Sequence, residues 1–246
     1  MADSGRLLEG QTAFITGAGR GIGRAVAEAF AAQGCAIAVA ARTRTEVETV
    51  ASNIRNRGGK AVAINCDVTN PEQVQQSINE AHDALGAINI LVNNAGVAIF
   101  KPFHQLSSDE WQQTMDVNLN GAFYCTQAVL PGMMQRRSGR IINISSVAGV
   151  KPIDQQSAYC ASKHALNAMS KVLAMELREF GIAVHAVCPG GVTTRLADEA
   201  MPERDKEDWM TPEDIAHACL FLASQSARAT TDEVIVRRFG SVPIGG

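Results

Sequence analysis

Several things are scarce in this sequence, and each scarcity removes a class of function. No apolar run approaches the roughly 20 residues that cross a bilayer, so no membrane partner is expected. The start, "MADSGRLLEGQTAFITG", lacks a basic stretch followed by an apolar one and does not read as a secretory signal. Neither sign of charge dominates: 22 Lys and Arg face 25 Asp and Glu, for a net −3, which argues against nucleic acid. Six cysteines (Cys35, Cys66, Cys125, Cys160, Cys188, Cys219) show no CxxC and no paired spacing. They read as reduced thiols of a cytoplasmic protein. The five histidines are equally dispersed, so no metal site is expected. Aromatics make up only 5% of the chain.

What is plentiful is glycine, 21 residues in 246, and short apolar runs separated by amphipathic segments. "TAFIT" reads as a strand, and Gly21 to Gln33 as a helix closed by Gly34. "AIAVAA" is a second strand, followed by a polar helix from Thr45 to the Gly58-Gly59 stop. "AVAINCD" is a third, and Pro71 opens the next helix at its first turn, where proline is tolerated. "INILVNNAG" is a fourth strand. Ser108 with Asp109 and Glu110 then starts a helical region running, with a break allowed for, to Pro131-Gly132. "GRIINISS", a helix from Ser157 to Phe180, "IAVHAVCP", a helix opening at Thr211-Pro212-Glu213, and "DEVIVRR" complete the series. The strands are apolar on both faces, as buried parallel strands are. The expected fold is α/β, a doubly wound parallel sheet of about seven strands in one domain, 1–246.

"TGAGRGIG", Thr16 to Gly23, lies between the first strand and the first helix, the context a phosphate-cradling loop requires. Its spacing is glycine, three residues, GxG. At the end of the second strand, where a carboxylate would bond a ribose 2′-hydroxyl, stands Ala41, followed by Arg42, whose guanidinium matches a phosphate. In "YCASK", Tyr159 and Lys163 are four apart on one helix face. Read alone, the pair is either solvated or a phenol tuned by an ammonium.

These motifs, with "NNAG" (Asn93 to Gly96), "ISS" (Ile144 to Ser146) and "PGGVTT" (Pro189 to Thr194) in that order, resemble the short-chain dehydrogenase/reductase family over about Leu8 to Phe221. The resemblance implies a Rossmann-type sheet, NADP(H) in preference to NAD(H), and a catalytic set of Asn118, Ser146, Tyr159 and Lys163. Ser146, thirteen residues before the tyrosine, is selected over Ser145, which then points the other way. Asn118 is expected to hold a water linking the lysine to solvent. The implied cofactor contacts are Gly17, Gly19, Arg20, Gly21, Ile22 and Gly23 in the loop. Arg42 (with Arg44 in reserve) reads the 2′-phosphate, and Asp67 and Val68 border the adenine. Asn94, Ala95 and Gly96 line the ribose side, Tyr159 and Lys163 reach the nicotinamide ribose, and Pro189, Gly190, Val192 and Thr194 border the nicotinamide. Asn93 is expected to steady the sheet at least as much as to touch ligand. A nearby ammonium and an oxidised nicotinamide both favour the phenolate, so the Tyr159 pKa is expected below its ordinary value of about 10.

The stretch Arg195 to Met210 is short and charged, which implies an open substrate pocket. Its candidate lining residues are Val97, Ile99, Val147, Gln155 and Trp209. Lys151 or Gln135 to Arg137 are candidates for meeting an acidic acyl carrier protein. The chain departs from the family at His185, often asparagine, and in its tail "DEVIVRRFGSVPIGG". The "DEVIVRR" form, with "TPEDIA" and the short stretch before it, resembles a subgroup of 3-oxoacyl carrier-protein reductases, 3-hydroxy acid dehydrogenases and general carbonyl reductases, usually homodimers or homotetramers joined through the long helices around Leu119 and Leu166. The function expected is NADPH-dependent reduction of a ketone, a 3-oxoacyl thioester foremost. Oxidation of a small hydroxy acid or polyol, and a non-catalytic NADPH-binding scaffold, stay open as alternatives.

Overall fold

The computed structural model describes residues 5–243. Seven strands, β1 (Thr12–Thr16), β2 (Ala36–Ala41), β3 (Ala61–Asn65), β4 (Ile90–Asn93), β5 (Gly139–Ile144), β6 (Ile182–Pro189) and β7 (Glu233–Val236), form one sheet in the order β3-β2-β1-β4-β5-β6-β7. Every pairing is parallel. The direction of winding reverses between β1 and β4, the kind of switch point that opens a crevice at the carboxyl ends of the strands.

Helices α1 (Gly21–Ala32), α2 (Arg44–Asn56) and α8 (Pro212–Ala223) cover one face of the sheet, with Val26, Phe30, Ile215 and Leu222 in their core. On the other face lie α3 (Pro71–Leu85), α5 (Gly121–Arg136) and α6 (Ser157–Glu176), packed around Phe14, Leu91, Val129 and Met133. Both faces of the central strands are buried, which explains their unbroken apolar sequences. Two short helices, α4 (Ser108–Met115) and α7 (Arg195–Ala200), border the carboxyl ends. The Ser107–Glu110 capping box starts α4. No described helix is long and apolar enough to cross a membrane.

Three expectations need correction. The helix read as ending at Pro131-Gly132 continues to Arg136 with Pro131 inside it. Buried Val129 and Met133 on either side hold it, so packing outweighs the proline's missing donor. Between α4 and α5, in place of the break allowed for, the chain stays helical and widens into a π-helical turn, Asp116–Asn120. The third, fourth, fifth and seventh strands are also shorter than their apolar runs, because pairing stops before the loops of the cleft. His185 is fully buried, its Nδ1 2.8 Å from the Thr231 carbonyl, and burial pushes its pKa down, so the ring is neutral. In the tail, Arg237 donates to the Ser241 carbonyl, while residues 244–246 lie outside the described residues.

A buried polar chain joins both long helices to the middle of the sheet. Asn93 Nδ2 donates to Asn143 Oδ1 (2.8 Å) and Thr126 Oγ1 (3.2 Å), and Asn143 Nδ2 donates to Ser170 Oγ (2.8 Å). Asn93 and Asn143 face each other across β4 and β5, tying α5 to α6 through the sheet. Asn93 therefore steadies the sheet and does not line the cleft. Asn93→Ala leaves buried Asn143 without its donor, and should cost about 1–3 kcal/mol. Urea unfolding checks this: the midpoint falls at unchanged slope, whereas an unchanged midpoint would mean that the chain contributes nothing.

Candidate active site

The loop after β1 turns sharply because Gly17 (φ 61°) and Gly21 (φ 54°) take left-handed backbone. Asn94 locks it from the end of β4, its Nδ2 donating to the carbonyls of Thr16 (2.9 Å) and Gly17 (3.1 Å). Thr16 Oγ1 in turn accepts from the amides of Asn94 and Ala95. Gly23, expected among the ligand contacts, sits behind the loop instead. A Cβ there would stand 2.4 Å from Asn94 Nδ2 and 2.5 Å from the Gly17 carbonyl, so its part is packing.

Above this loop opens a cleft of about 770 Å³, within the usual range for ligand sites. It brings together Gly17, Gly19, Arg20, Gly21 and Ile22 with Arg42, Asp67 and Val68. Asn94, Ala95 and Gly96 line it from β4, and Pro189, Gly190, Val192 and Thr194 from β6. Asp67 is held by its own turn, accepting from the Thr69 amide and hydroxyl (3.0 and 2.8 Å). Thr194 caps α7, accepting from the Ala197 amide at 3.2 Å. Arg44 turns away and pairs along its helix with Glu48 (3.5 Å), which removes it from the candidates. A left-handed glycine loop opening a helix, with Arg20 and Arg42 at its rim, fits a phosphorylated dinucleotide.

At the other end, β5 and α6 bring the candidate catalytic groups to the cleft. Tyr159 packs edge-on against Phe100, ring centroids 5.4 Å apart. Lys163 lies one turn on, its Nζ 5.7 Å from the Tyr159 ring centre and donating to the Ile144 carbonyl (2.8 Å). Ser146 Oγ accepts from the Ala148 amide (3.1 Å) and donates to the Pro189 carbonyl (3.5 Å). Ser145 does point the other way, donating to the Lys163 carbonyl at 3.3 Å.

The protein's own groups shift the phenol the other way from the combined effect expected of Lys163 and an oxidised nicotinamide. Burial pushes Tyr159 up to about 12, and hydrogen bonding with Ser146 offsets only part of it. Burial acts on the amine in the opposite sense and holds Lys163 down to about 8. Desolvation disfavours whichever form is charged, so the two pKa values move towards opposite outcomes: a phenol that keeps its proton and an amine that loses its own readily.

Asn118, expected to hold a water near the lysine, has its side chain tied down. It is buried behind Gly96 and off the cleft wall, with both side-chain donors committed, to the Val97 carbonyl (3.0 Å) and to Ser162 Oγ (3.1 Å). Ser162, which the sequence leaves without a role, donates to the Tyr159 carbonyl (2.8 Å). Asn118 thus reaches the tyrosine's backbone through Ser162.

Of the expected substrate-side residues, Val147, Gln155 and Trp209 line the cleft and Val97 and Ile99 do not; Phe100 and Ile153 take their place. Arg136 and Arg137, candidates for a carrier-protein contact, donate to the carbonyls of Ile88 and Glu179. Sequence reasoning missed Glu46 and Arg238 on the cleft wall, whereas Arg195 and Arg204, also there, lie in the charged stretch expected to border the substrate pocket. Of those two, only Glu46 carried a signal, its place in the first turn of the helix after Arg42.

Comparison with known proteins places this geometry. The description of the short chain dehydrogenase family matches residues 11–205. The chain is 37% identical over 228 residues to a 3-oxoacyl-[acyl-carrier-protein] reductase of Synechocystis sp., covering 90% of this chain and 92% of that one. It is 33% identical over 251 residues to a 3beta-hydroxysteroid dehydrogenase of Mediterraneibacter gnavus, covering 90% and 91%. Two crystal structures are similar. A short-chain type dehydrogenase/reductase from Mycobacterium marinum has a TM-score of 0.88 at 34% identity, covering 94% of this chain and 95% of that one. A metagenomic short-chain oxidoreductase in complex with NADP has a TM-score of 0.83 at 34% identity, covering 94% and 99%.

The packing of Gly23 sets two effects against each other. Alanine gains about 0.8–1 kcal/mol of helix propensity over glycine, while overpacking costs about 1–3 kcal/mol. The atoms met are a backbone carbonyl and a doubly bonded amide, which yield little, so Gly23→Ala should lower the melting temperature. A raised melting temperature would show that the Asn94 lock is looser than described.

Proposed function

The chain belongs to the short-chain dehydrogenase family, and from that premise we propose that it reduces a ketone to a secondary alcohol with NADPH. The family's enzymes act between CH–OH and C=O groups with a nicotinamide cofactor. The convergence of Ser146, Tyr159 and Lys163 on the same cleft as the glycine loop carries the reading.

Arg20 and Arg42 hold the 2′-phosphate, and the loop amides with Thr194 border the pyrophosphate. Bound there, NADPH would supply a hydride to the substrate carbonyl carbon. The Ser146 hydroxyl holds the carbonyl oxygen, and Tyr159 gives that oxygen its proton as negative charge develops. A phenol held near 12 is protonated throughout the physiological range, which favours its use as an acid in the direction of reduction. The Lys163 ammonium stabilises the phenolate left behind and holds the nicotinamide ribose. Asn118 is a positioning residue, acting on the tyrosine through Ser162.

For substrate, the Synechocystis relative favours a 3-oxoacyl thioester, presented by an acyl carrier protein. The steroid dehydrogenase supports a second reading, a bulkier alcohol or ketone in the open cleft. The subunits assemble as a homodimer or homotetramer through α5 and α6. Leu166 itself is buried, so the outward surface is Phe123, Val172 and Met175, which are 42%, 51% and 76% exposed.

Assayed against 3-oxoacyl thioesters, hydroxy acids, steroids and simple ketones, the protein should turn over the thioesters with NADPH. Tyr159→Phe should lower kcat by about 10²–10⁴-fold and leave NADPH affinity unchanged. Tight NADPH binding with no turnover of any substrate would make the protein a scaffold.

The pH profile of kcat/KM reports the free enzyme. Burial favours the neutral amine, so the Lys163 charge is present below about 8 and lost above it. Reduction should fall through that pH, and Lys163→Arg, whose guanidinium stays charged, should move the alkaline limb upward. An unmoved limb would assign it to another group.

A further inference from the structure

Three carboxylates line the cleft among the described residues: Glu46, Asp67 and Asp154. Asp67 is held within its own turn by Thr69, and Asp154, on the substrate side, accepts from Gln155. Glu46 is different because it bridges basic groups from two elements. Its Oε1 lies 3.6 Å from Arg20 Nη1 in the glycine loop and 3.9 Å from Arg195 Nη1 at the start of α7. Its side chain also rests against the loop. A Cβ on Gly19 would stand 2.8 Å from Glu46 Cβ and 3.0 Å from its Oε2.

We propose that Glu46 is a cofactor-specificity residue: its carboxylate competes with the 2′-phosphate for Arg20 and, until displaced, ties α7 to the glycine loop through Arg195. This rests on the NADPH reading above. Both contacts are longer than a hydrogen bond, and the arginine side chains are 46% and 64% exposed, so each pair is weak and breaks at little cost. A phosphate offers Arg20 more charge and a two-pronged acceptor. The displaced carboxylate nevertheless stays beside the loop, where it repels the phosphate. NADH, without that phosphate, does not have to contend with it. The affinity ratio of the two cofactors is therefore set by Glu46 as well as by Arg42.

The test is direct titration of the full chain, by nicotinamide fluorescence for NADPH and NADH and by calorimetry for 2′,5′-ADP and 5′-AMP. Glu46→Gln, which keeps the shape and removes the charge, should tighten NADPH and 2′,5′-ADP by about fivefold, the scale of one solvent-screened charge interaction. NADH and 5′-AMP should be unchanged. Glu46→Lys should raise the NADPH-to-NADH affinity ratio further, which a loss of packing against Gly19 would not do. A ratio that stays the same or falls in Glu46→Gln overturns the proposal. If the unaltered protein binds NADH more tightly than NADPH, the NADPH reading fails, and the change in ratio still decides the role of Glu46.

Discussion

The Lys163 ammonium is almost completely buried and gives a hydrogen to the carbonyl of Ile144, the last residue of β5. Taking a charge out of water is costly unless it finds partners, and this one contact fixes where α6 must lie. With the lysine docked on the strand end, Tyr159 is carried one turn earlier to the cleft wall, beside Ser146. The Ser145 hydroxyl meets the Lys163 carbonyl, and a Cβ on Gly149 would stand 2.7 Å from that same carbonyl, so the loop closes tightly on the helix. The reactive groups are thus placed by backbone contacts as well as by side-chain reach. The π-helical turn adds the remaining brace, from Asn118 through Ser162 to the tyrosine's own carbonyl.

The same burial decides the chemistry available before any ligand arrives. An ammonium out of water and a phenol half-buried at the cleft wall are both pushed towards neutrality, Tyr159 up to about 12 and Lys163 down to about 8. The arrangement is ready to donate a proton rather than to accept one. At the far end, the phosphate-facing loop depends on a different side chain, Asn94, which fills the space that Gly17 and Gly23 leave free. The two ends meet because β1 and β4 are neighbours at the reversal of winding.

Much of this was legible in the sequence. Apolar runs with glycine and proline punctuation give all seven strands, and β6 coincides with its run residue for residue. The glycine loop, Arg42 and the serine, tyrosine and lysine fall on one cleft as their order implies. What the sequence hides is tertiary. Pro131 looks like a stop because nothing local reveals Val129 and Met133 packed on either side of it. Asn118 and Gly23 sit one layer behind the wall, a difference of depth that spacing along a helix does not encode. Glu46 and Arg195, some 150 positions apart in the chain, meet only because α2 and α7 rise at the same rim. The upward push on the Tyr159 phenol was hidden because charge proximity can be inferred from an i, i+4 spacing and desolvation cannot.

The central claim, that burial keeps Tyr159 protonated and leaves Lys163 as the group that titrates, can be measured on the free protein. The chain has two tyrosines, Tyr124 and Tyr159, so the phenolate absorbance of the unaltered protein minus that of Tyr159→Phe isolates one of them. The account predicts no Tyr159 phenolate while the protein remains folded up to about pH 10, consistent with a value pushed up to about 12. A Tyr159 ionisation midpoint below 10 would contradict it.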